Sequence, residues 1–259
     1  MKKYIDEKEA AKAIIDIGQR MYVRNLVAAN DGNISVRISK KEILATPSGV
    51  SKGFMKKKML IVTDLDGNVL RGEGRPSSEL KMHLRAYKEN PAIMSVCHAH
   101  PPISTAFGIA GIPLDKPILA EAVISLGNVP VLPYAELGSD EIPDVMAPYF
   151  KSHNGVILAN HGVTTWGPDP YAAFYRMESI EYYAYITMLT DKILGSSNPL
   201  HKEQIDALIG MRAKFGITAG GYPAAGAAPA GATNESISPA APSDPSAPVS
   251  RVVIEESDF

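Results

Sequence analysis

Two of the six histidines in this 259-residue chain stand one residue apart, in Val96-Cys97-His98-Ala99-His100. Side chains at i and i+2 of an extended chain face the same way, so both imidazoles reach one point in space. Two readings fit such a pair. They are strand-end histidines bonded to backbone groups, or they are part of a site for a divalent metal, typically Zn2+, which needs a third ligand. Asn160-His161-Gly162 supplies the best third ligand, since it follows a second apolar run, Gly155 to Ala159, and Gly162 lets the backbone turn there. His83, His153 and His201 have no comparable spacing.

Two carboxylates complete the set of groups able to move a proton. Glu79 lies in Arg75-Pro76-Ser77-Ser78-Glu79-Leu80-Lys81-Met82-His83, which reads as a helix start with serines suited to the cap and the glutamate in the first turn. By itself Glu79 is a capping carboxylate, and the serines with the free N–H groups of that terminus form an anion site. Glu121 falls in the apolar run Ile118 to Ile124. There it either pairs with a base or, with its pKa raised by apolar surroundings, serves as a general acid or base.

Elements with the right periodicity surround these residues. Asp6 caps a helix through Ala29, with Ile14, Ile15, Ile17, Met21, Leu26 and Val27 at roughly helical spacing. Asn30-Asp31-Gly32-Asn33 breaks it, and Ile34 to Ser39 alternates as a half-buried strand does. Thr46 to Gly53 is a loop of small hydroxyl and glycine residues, either a surface turn or a source of donors for a phosphate. Asp64 to Asn68 makes a hairpin between Met59–Thr63 and Val69-Leu70. Pro101-Pro102 opens a helix through Ala110, Val129–Leu132 is a strand, Asp140–Phe150 a helix, and Gly155–Ala159 the strand before His161. The longest helix runs from Asp169-Pro170 to Leu194, with Phe174, Met177, Ile180, Tyr183, Ile186 and Leu189 at near-heptad spacing, and another spans His201 to Lys214. Intermingled strands and helices make an α/β fold.

Composition narrows the function. A net charge of −2 carries no sign of a nucleic-acid or membrane-surface protein. Residues 218–259 hold five acids and one base, a net −4, which leaves the first 217 residues at +2, a balance that suits an anionic small substrate. The single cysteine, Cys97, forms no intramolecular disulfide, fits a reducing, cytoplasmic setting, and sits in an apolar run as a buried thiol. The charged start Met1-Lys2-Lys3 argues against a signal peptide, and the longest uncharged stretch of the body, Ile93–Leu114, contains two histidines and three prolines, which argues against a membrane span.

Three segments follow: a catalytic body over 1–217, an Ala/Pro/Gly/Ser-rich linker over 218–250 and a short peptide over 251–259. In the linker 25 of 33 residues are Ala, Gly, Pro or Ser, too little apolar bulk to order the chain, so a disordered tail is predicted. Arg251-Val252-Val253-Ile254 then returns to β-branched residues, either a tethered docking peptide or an inert terminus.

Five motifs in this order, Gly32-Asn33-Ile34-Ser35, Thr46-Pro47-Ser48-Gly49, Pro76-Ser77-Ser78-Glu79, His98-Ala99-His100 and Asn160-His161-Gly162, resemble the class II aldolase/adducin family and, within it, the L-fuculose-phosphate aldolase branch. The resemblance spans residues 6 to about 217. It implies a three-layer αβα sandwich with a central mixed, largely antiparallel sheet, assembled as a homotetramer with active sites at subunit interfaces. It implies one Zn2+ per subunit held by His98, His100 and His161, with Glu79 as a possible fourth ligand when substrate is absent. Asn33, Ser48, Gly49, Ser77 and Ser78 correspond to the sugar-phosphate pocket, with Gly32 shaping the loop, and Glu79 matches the catalytic carboxylate.

The reaction so implied is retro-aldol cleavage of a deoxyketose 1-phosphate, L-fuculose 1-phosphate giving dihydroxyacetone phosphate and lactaldehyde. Glutamate at 79 favours the aldolase over the related pentulose-phosphate 4-epimerases, which carry aspartate there, and three retained histidines set the chain apart from adducin-like members, which lose them. Glu121 and Phe215 stand where the fuculose-phosphate aldolases carry tyrosines that act on the aldehyde half. Glu121 also falls where methylthioribulose-phosphate dehydratases place a glutamate, so 5-deoxyribulose 1-phosphate cleavage and dehydration are alternatives, beside a pentulose-phosphate 4-epimerase and, outside enzymes, a metal-stabilised scaffold that substrate turnover would reject. The tail resembles in layout the encapsulation peptides of bacterial microcompartment enzymes, which implies a shell protein as partner.

Overall fold

The computed structural model describes residues 4–221. Its centre is an eight-stranded sheet in the order β4-β3-β2-β1-β5-β8-β7-β6. In chain order the strands are β1 (Asn33–Arg37), β2 (Ile43–Ala45), β3 (Ile61–Thr63), β4 (Val69–Arg71), β5 (Ser95–Ala99), β6 (Val131–Leu132), β7 (Gly155–Leu158) and β8 (Gly162–Gly167). All neighbours are antiparallel except β6 and β7, so the sheet is mixed and largely antiparallel.

Helices cover both faces, because strands buried on two sides must find apolar partners on each. The helices are α1 (Glu7–Val23), α2 (Leu80–Glu89), α3 (Pro102–Ile109), α4 (Ala120–Ser125), α5 (Glu141–Met146), α6 (Pro170–Met188) and α7 (Lys202–Met211). One core packs α1 and α6 through Ile14, Ile17, Met21, Phe174, Met177 and Ile180 against Ile34, Val36 and Cys97. The other packs α2 and α5 through Met82, Leu84, Tyr87, Ile142 and Met146 against Ile43, Val96 and Trp166. Cys97 is fully buried, which pushes its thiol pKa up and leaves it inert. No helix among the described residues is long and apolar enough to cross a membrane.

Several elements differ from the sequence reading. Asp6 caps α1 as expected, accepting from the Lys8 N–H at 2.9 Å, but the helix stops at Val23 rather than Ala29. Asn25 and Ala29 take left-handed backbone, and the bend lays Leu26 against the end of β5, where its carbonyl accepts the His100 N–H at 3.0 Å. β1 is buried on both faces rather than one, since Ser35 on its polar side bonds His83 Nδ1 at 2.8 Å and the Tyr87 hydroxyl at 2.7 Å, both from α2. β8 was not anticipated. Its Val163-Thr164-Thr165 run has β-branched propensity, but its start coincides with the glycine read as a turn. The long helix is α-helical only to Met188, then widens into a π turn over Leu189–Ile193 before Gly195, and it lies across β5 and β8.

Of the expected linker, residues 218–221 are described, and they are docked at two of them: Gly220 N donates to Ser152 O at 2.9 Å, and Ala219 O accepts from Asn154 Nδ2 at 2.8 Å. The rest of that linker and the 251–259 peptide lie outside the described residues.

Candidate metal centre

The site assembles where elements end. Along β5, Val96 and His98 project to the α2 face while Cys97 and Ala99 project to the other, so the period of two aims His98 at the N-terminus of α2. β5 ends because Pro101 and Pro102 cannot extend the ladder, and α3 begins at once. Its first N–H groups, Ile103 and Ser104, donate to the Glu181 carboxylate of α6 at 2.9 and 2.8 Å, which anchors the chain just beyond His100. His161 sits in the tight β7–β8 hairpin, where Asn160 has a φ of 55° and Gly162 passes so close to β5 that a Cβ there would lie 2.5 Å from Ala99 O.

Glu79 occupies the cap position of α2 and not its first turn, and its side chain makes no capping bond. It turns away from the helix, and Ser77 Oγ accepts the Glu79 N–H at 3.2 Å instead. Thus Glu79 Oε1 lies 2.8 Å from His161 Nε2 and 3.5 Å from His98 Nε2, while His98 Nε2 lies 3.1 Å from His100 Nε2. One ligand atom from each of these four residues lies within 4.8 Å of the others. Burial alone raises the Glu79 carboxyl, but the imidazoles of His98 and His161 outweigh it and hold the group far below the usual carboxylate range. His100 is lowered to about 4, by burial first and then by His98 and His161.

These residues fit a divalent metal. A tetrahedral shell with Zn–N bonds of about 2.0–2.1 Å separates neighbouring ligand atoms by about 3.3 Å; three of the six pairs, at 2.8, 3.1 and 3.5 Å, bracket that value, and all six lie within 4.8 Å. The outer partners agree. His98 Nδ1 lies 3.0 Å from both Val163 O and Thr164 Oγ1. A carbonyl only accepts, so Nδ1 carries the proton and the Nε2 lone pair faces the centre. His100 Nδ1 is backed by Asp31 Oδ2 at 3.3 Å.

The residues matched to the phosphate pocket fall into two groups. Asn33, paired with His98 across β1 and β5, donates from Nδ2 to Glu79 Oε2 at 2.5 Å, and buried Gly32, with φ +76°, passes beneath the His98 carbonyl. Ser48, Gly49, Ser77 and Ser78 lie on two loops joined by a bridge between Pro47 and Pro76 and by Ser48 N donating to Arg75 O at 2.8 Å. Ser48 and Gly49 are exposed, and Ser48 lines a cavity of about 820 Å³ with Lys58.

Glu121 departs from its expected setting. The helical period of α4 turns Ala122 and Val123 inward and leaves Glu121 exposed, so its surroundings are not apolar. It lines a separate cavity of about 540 Å³ with Arg24, Tyr175, Glu178 and Tyr182 and is not among the converging groups. Asp31 as the partner of His100 and Asn33 as the partner of Glu79 are contacts that spacing did not reveal. They depend on pairing between distant segments, and no local pattern marks them.

A metal-dependent enzyme is what this fold and donor set define. The chain belongs to the family of the class II aldolase and adducin N-terminal domain, whose model matches residues 12–188, and it is an aldolase-type lyase of that class. An L-fuculose phosphate aldolase of Methanococcus maripaludis is 32% identical over 182 residues, 69% of this chain and 96% of that protein. A 3-oxo-tetronate 4-phosphate decarboxylase of Haemophilus influenzae is also 32% identical, over 187 residues, 70% of this chain and 88% of that protein. A 5-deoxy-D-ribulose 1-phosphate aldolase of Bacillus thuringiensis is 30% identical over 197 residues, 75% of this chain and 91% of that protein. Among solved structures, an L-fuculose 1-phosphate aldolase superposes with a TM-score of 0.72 at 29% identity, covering 84% of this chain and all of that one.

Proposed function

We propose that the protein cleaves a carbon–carbon bond of a ketose phosphate with zinc as its metal, and that L-fuculose 1-phosphate is its substrate. The observation that carries the reading is the Glu79 carboxylate set among three converging imidazoles and held by the Asn33 amide. A divalent ion bound there supplies Lewis-acid polarisation of the ketose carbonyl and charge to balance an enediolate.

The chain's own groups do the rest. Breaking C3–C4 leaves the electron pair on C3 of the three-carbon fragment while the 4-hydroxyl gives its proton to the Glu79 carboxylate and becomes the aldehyde oxygen. Glu79, by virtue of its place in the cluster, returns a proton to C3, which releases dihydroxyacetone phosphate and lactaldehyde. Ser77 and the Ser48-Gly49 loop offer hydroxyl and backbone donors for the phosphate, and Gly49, where a Cβ would meet nothing within 4 Å, leaves that approach open. The 5-deoxyribulose 1-phosphate reaction uses the same steps on a shorter ketose.

Decarboxylation is a second reading, supported by a relative of that activity at the same identity as the aldolase. It also breaks a carbon–carbon bond toward an enediolate but has no aldehyde half. The non-phenolic Glu121 and exposed Phe215 are compatible with that chemistry. The proposal further includes a homotetramer, on the family resemblance, and capture by a microcompartment shell through 251–259, on the composition of the tail. Light scattering tests the first and shell binding by the chain truncated at 221 tests the second.

The deciding experiment measures dihydroxyacetone phosphate from L-fuculose 1-phosphate and from 5-deoxyribulose 1-phosphate, and CO2 from 3-oxo-tetronate 4-phosphate, with zinc and with chelator. Chelator-sensitive release of dihydroxyacetone phosphate, fastest from L-fuculose 1-phosphate, upholds the proposal. CO2 release alone replaces it with the decarboxylase.

A further inference from the structure

We infer that Lys52 is a positioning residue of the metal centre, whose buried ammonium ties the 30–33 loop to the 48–50 loop and thereby fixes Asp31 behind His100 and Asn33 behind Glu79. This rests on the metal-centre reading above.

Lys52 opens the short 3-10 turn Lys52–Phe54 and is only 1% exposed, an unusual place for a lysine. A buried ammonium is costly unless its protons find acceptors. Here Nζ donates to Asn30 O at 2.9 Å, across to the loop before β1, and to Val50 O, within the loop that carries Lys52 itself. Burial lowers the group to about 8, opposed by the negative charges of Asp31 and Glu79.

The first of those loops needs an anchor. Between α1 and β1 the chain has no ladder of its own, and it includes left-handed backbone at Asn25, Ala29 and Gly32. Asn30, the residue Lys52 grips, directly precedes Asp31, which meets His100 Nδ1 at 3.3 Å, and lies three before Asn33, which meets Glu79 at 2.5 Å. Both contacts orient members of the cluster, one imidazole from the loop itself and one carboxylate from Asn33, the first residue of β1 directly after it. The second loop carries Ser48 and Gly49, so the same ammonium also sets the distance from the metal centre to those donors.

Lys52 is itself held from behind. Gly18 of α1 passes so close that a Cβ there would lie 2.7 Å from the Lys52 carbonyl, and Met55 would be displaced as well. The turn therefore cannot drift away from the loops it links.

The test compares zinc affinity, by competition with a chromophoric chelator, with amide hydrogen exchange over residues 28–34. In Lys52→Met and in Asp31→Asn zinc binding is expected to weaken about 10–100-fold, the usual range for groups that orient ligands. The double variant should lose no more than about twofold beyond the weaker single, because both act through one loop. Exchange over 28–34 should rise in Lys52→Met while β5 and β8 stay protected, and Lys52→Arg should recover most of the zinc affinity.

Zinc binding within twofold of wild type in Lys52→Met overturns the inference, as do losses that multiply in the double variant. If Lys52→Met does not fold, Lys52→Gln, a neutral donor one bond shorter, carries the same comparison. A protein that folds with none of the three replacements, or one in which exchange rises across the whole sheet, overturns a positioning role in favour of a purely structural one. Wild-type zinc binding, abolished by His98→Ala, checks the underlying reading separately, and the exchange measurement on 28–34 stands without metal.

Discussion

Gly162→Ala tests how tightly the fold holds the site, because the added methyl group strikes both the sheet and a ligand. An ideal Cβ at 162 lies 2.5 Å from Ala99 O and 2.6 Å from His100 Cδ2, so each contact has to open by 0.8–0.9 Å to reach the ordinary separation of 3.4 Å. Ala99 O belongs to the β5–β8 ladder, in which Ala99 faces Val163, so moving it parts two central strands. His100 Cδ2 belongs to the ring whose Nε2 faces the cluster, so moving it displaces a ligand. Overpacking of this kind costs about 1–3 kcal/mol. The reduced freedom of the unfolded chain returns only about 0.4–1 kcal/mol, so the net effect is destabilising. With mid-range values the net is about 1.3 kcal/mol, and at about 2–4 °C per kcal/mol for a body of this size Tm should fall by roughly 3–5 °C. A ring shift of that size is a large fraction of a metal–nitrogen bond of about 2 Å, and zinc affinity should drop at least tenfold. The assay is a thermal melt of the metal-free protein beside a chelator competition. A variant with wild-type Tm and wild-type zinc affinity would refute the claim that close approach of β8 to β5 sets the His100 position.

Glu79→Gln should lower kcat by about 10²–10⁴-fold while zinc remains bound through the three imidazoles; turnover within threefold of wild type would remove Glu79 as the proton carrier. Glu121→Gln should leave zinc affinity within about twofold, since the side chain is exposed in a separate cavity, and a larger change would place it at the metal. His83, fully buried, has its pKa lowered to about 3 from an ordinary 6.5, first by burial and then by His98. The unfolded chain therefore takes up that proton first as pH falls, so the stability His83 contributes is complete above 6.5 and is lost toward 3, by up to about 1.4 kcal/mol per pH unit. Denaturant midpoints at pH 7.5, 6 and 5 should fall less steeply in His83→Asn than in wild type, both with chelator present, and parallel slopes would refute this.

The three histidines were legible because their signal is local. The i, i+2 spacing at His98 and His100 needs only an extended backbone, and His161 is flagged by the apolar run before it and the glycine after it. Periodicity likewise marked α1, α6 and β1, and capping residues marked the start of α2. Boundaries failed where local and tertiary preferences compete. Leu26 and Val27 continue the helical spacing of α1, yet they are buried against the end of β5 in a bend with left-handed residues. β8 was hidden because Gly162 serves at once as a turn residue and as the first residue of a central strand. Glu121 misled for the opposite reason, since an apolar neighbourhood in sequence becomes, on a helix, an apolar face on the other side.

By itself the sequence determined the residue types of the centre, the class of ion they suit and the order of the motifs. Tertiary structure alone decided that Glu79 leaves its helix cap for the imidazoles, that Asn33 meets it from 46 residues away, that Asp31 stands behind His100, and that Lys52 lies beneath them. Those contacts join segments far apart in the chain, and their geometry follows from strand pairing and from how closely glycines let backbones approach, quantities that no local pattern of residues carries.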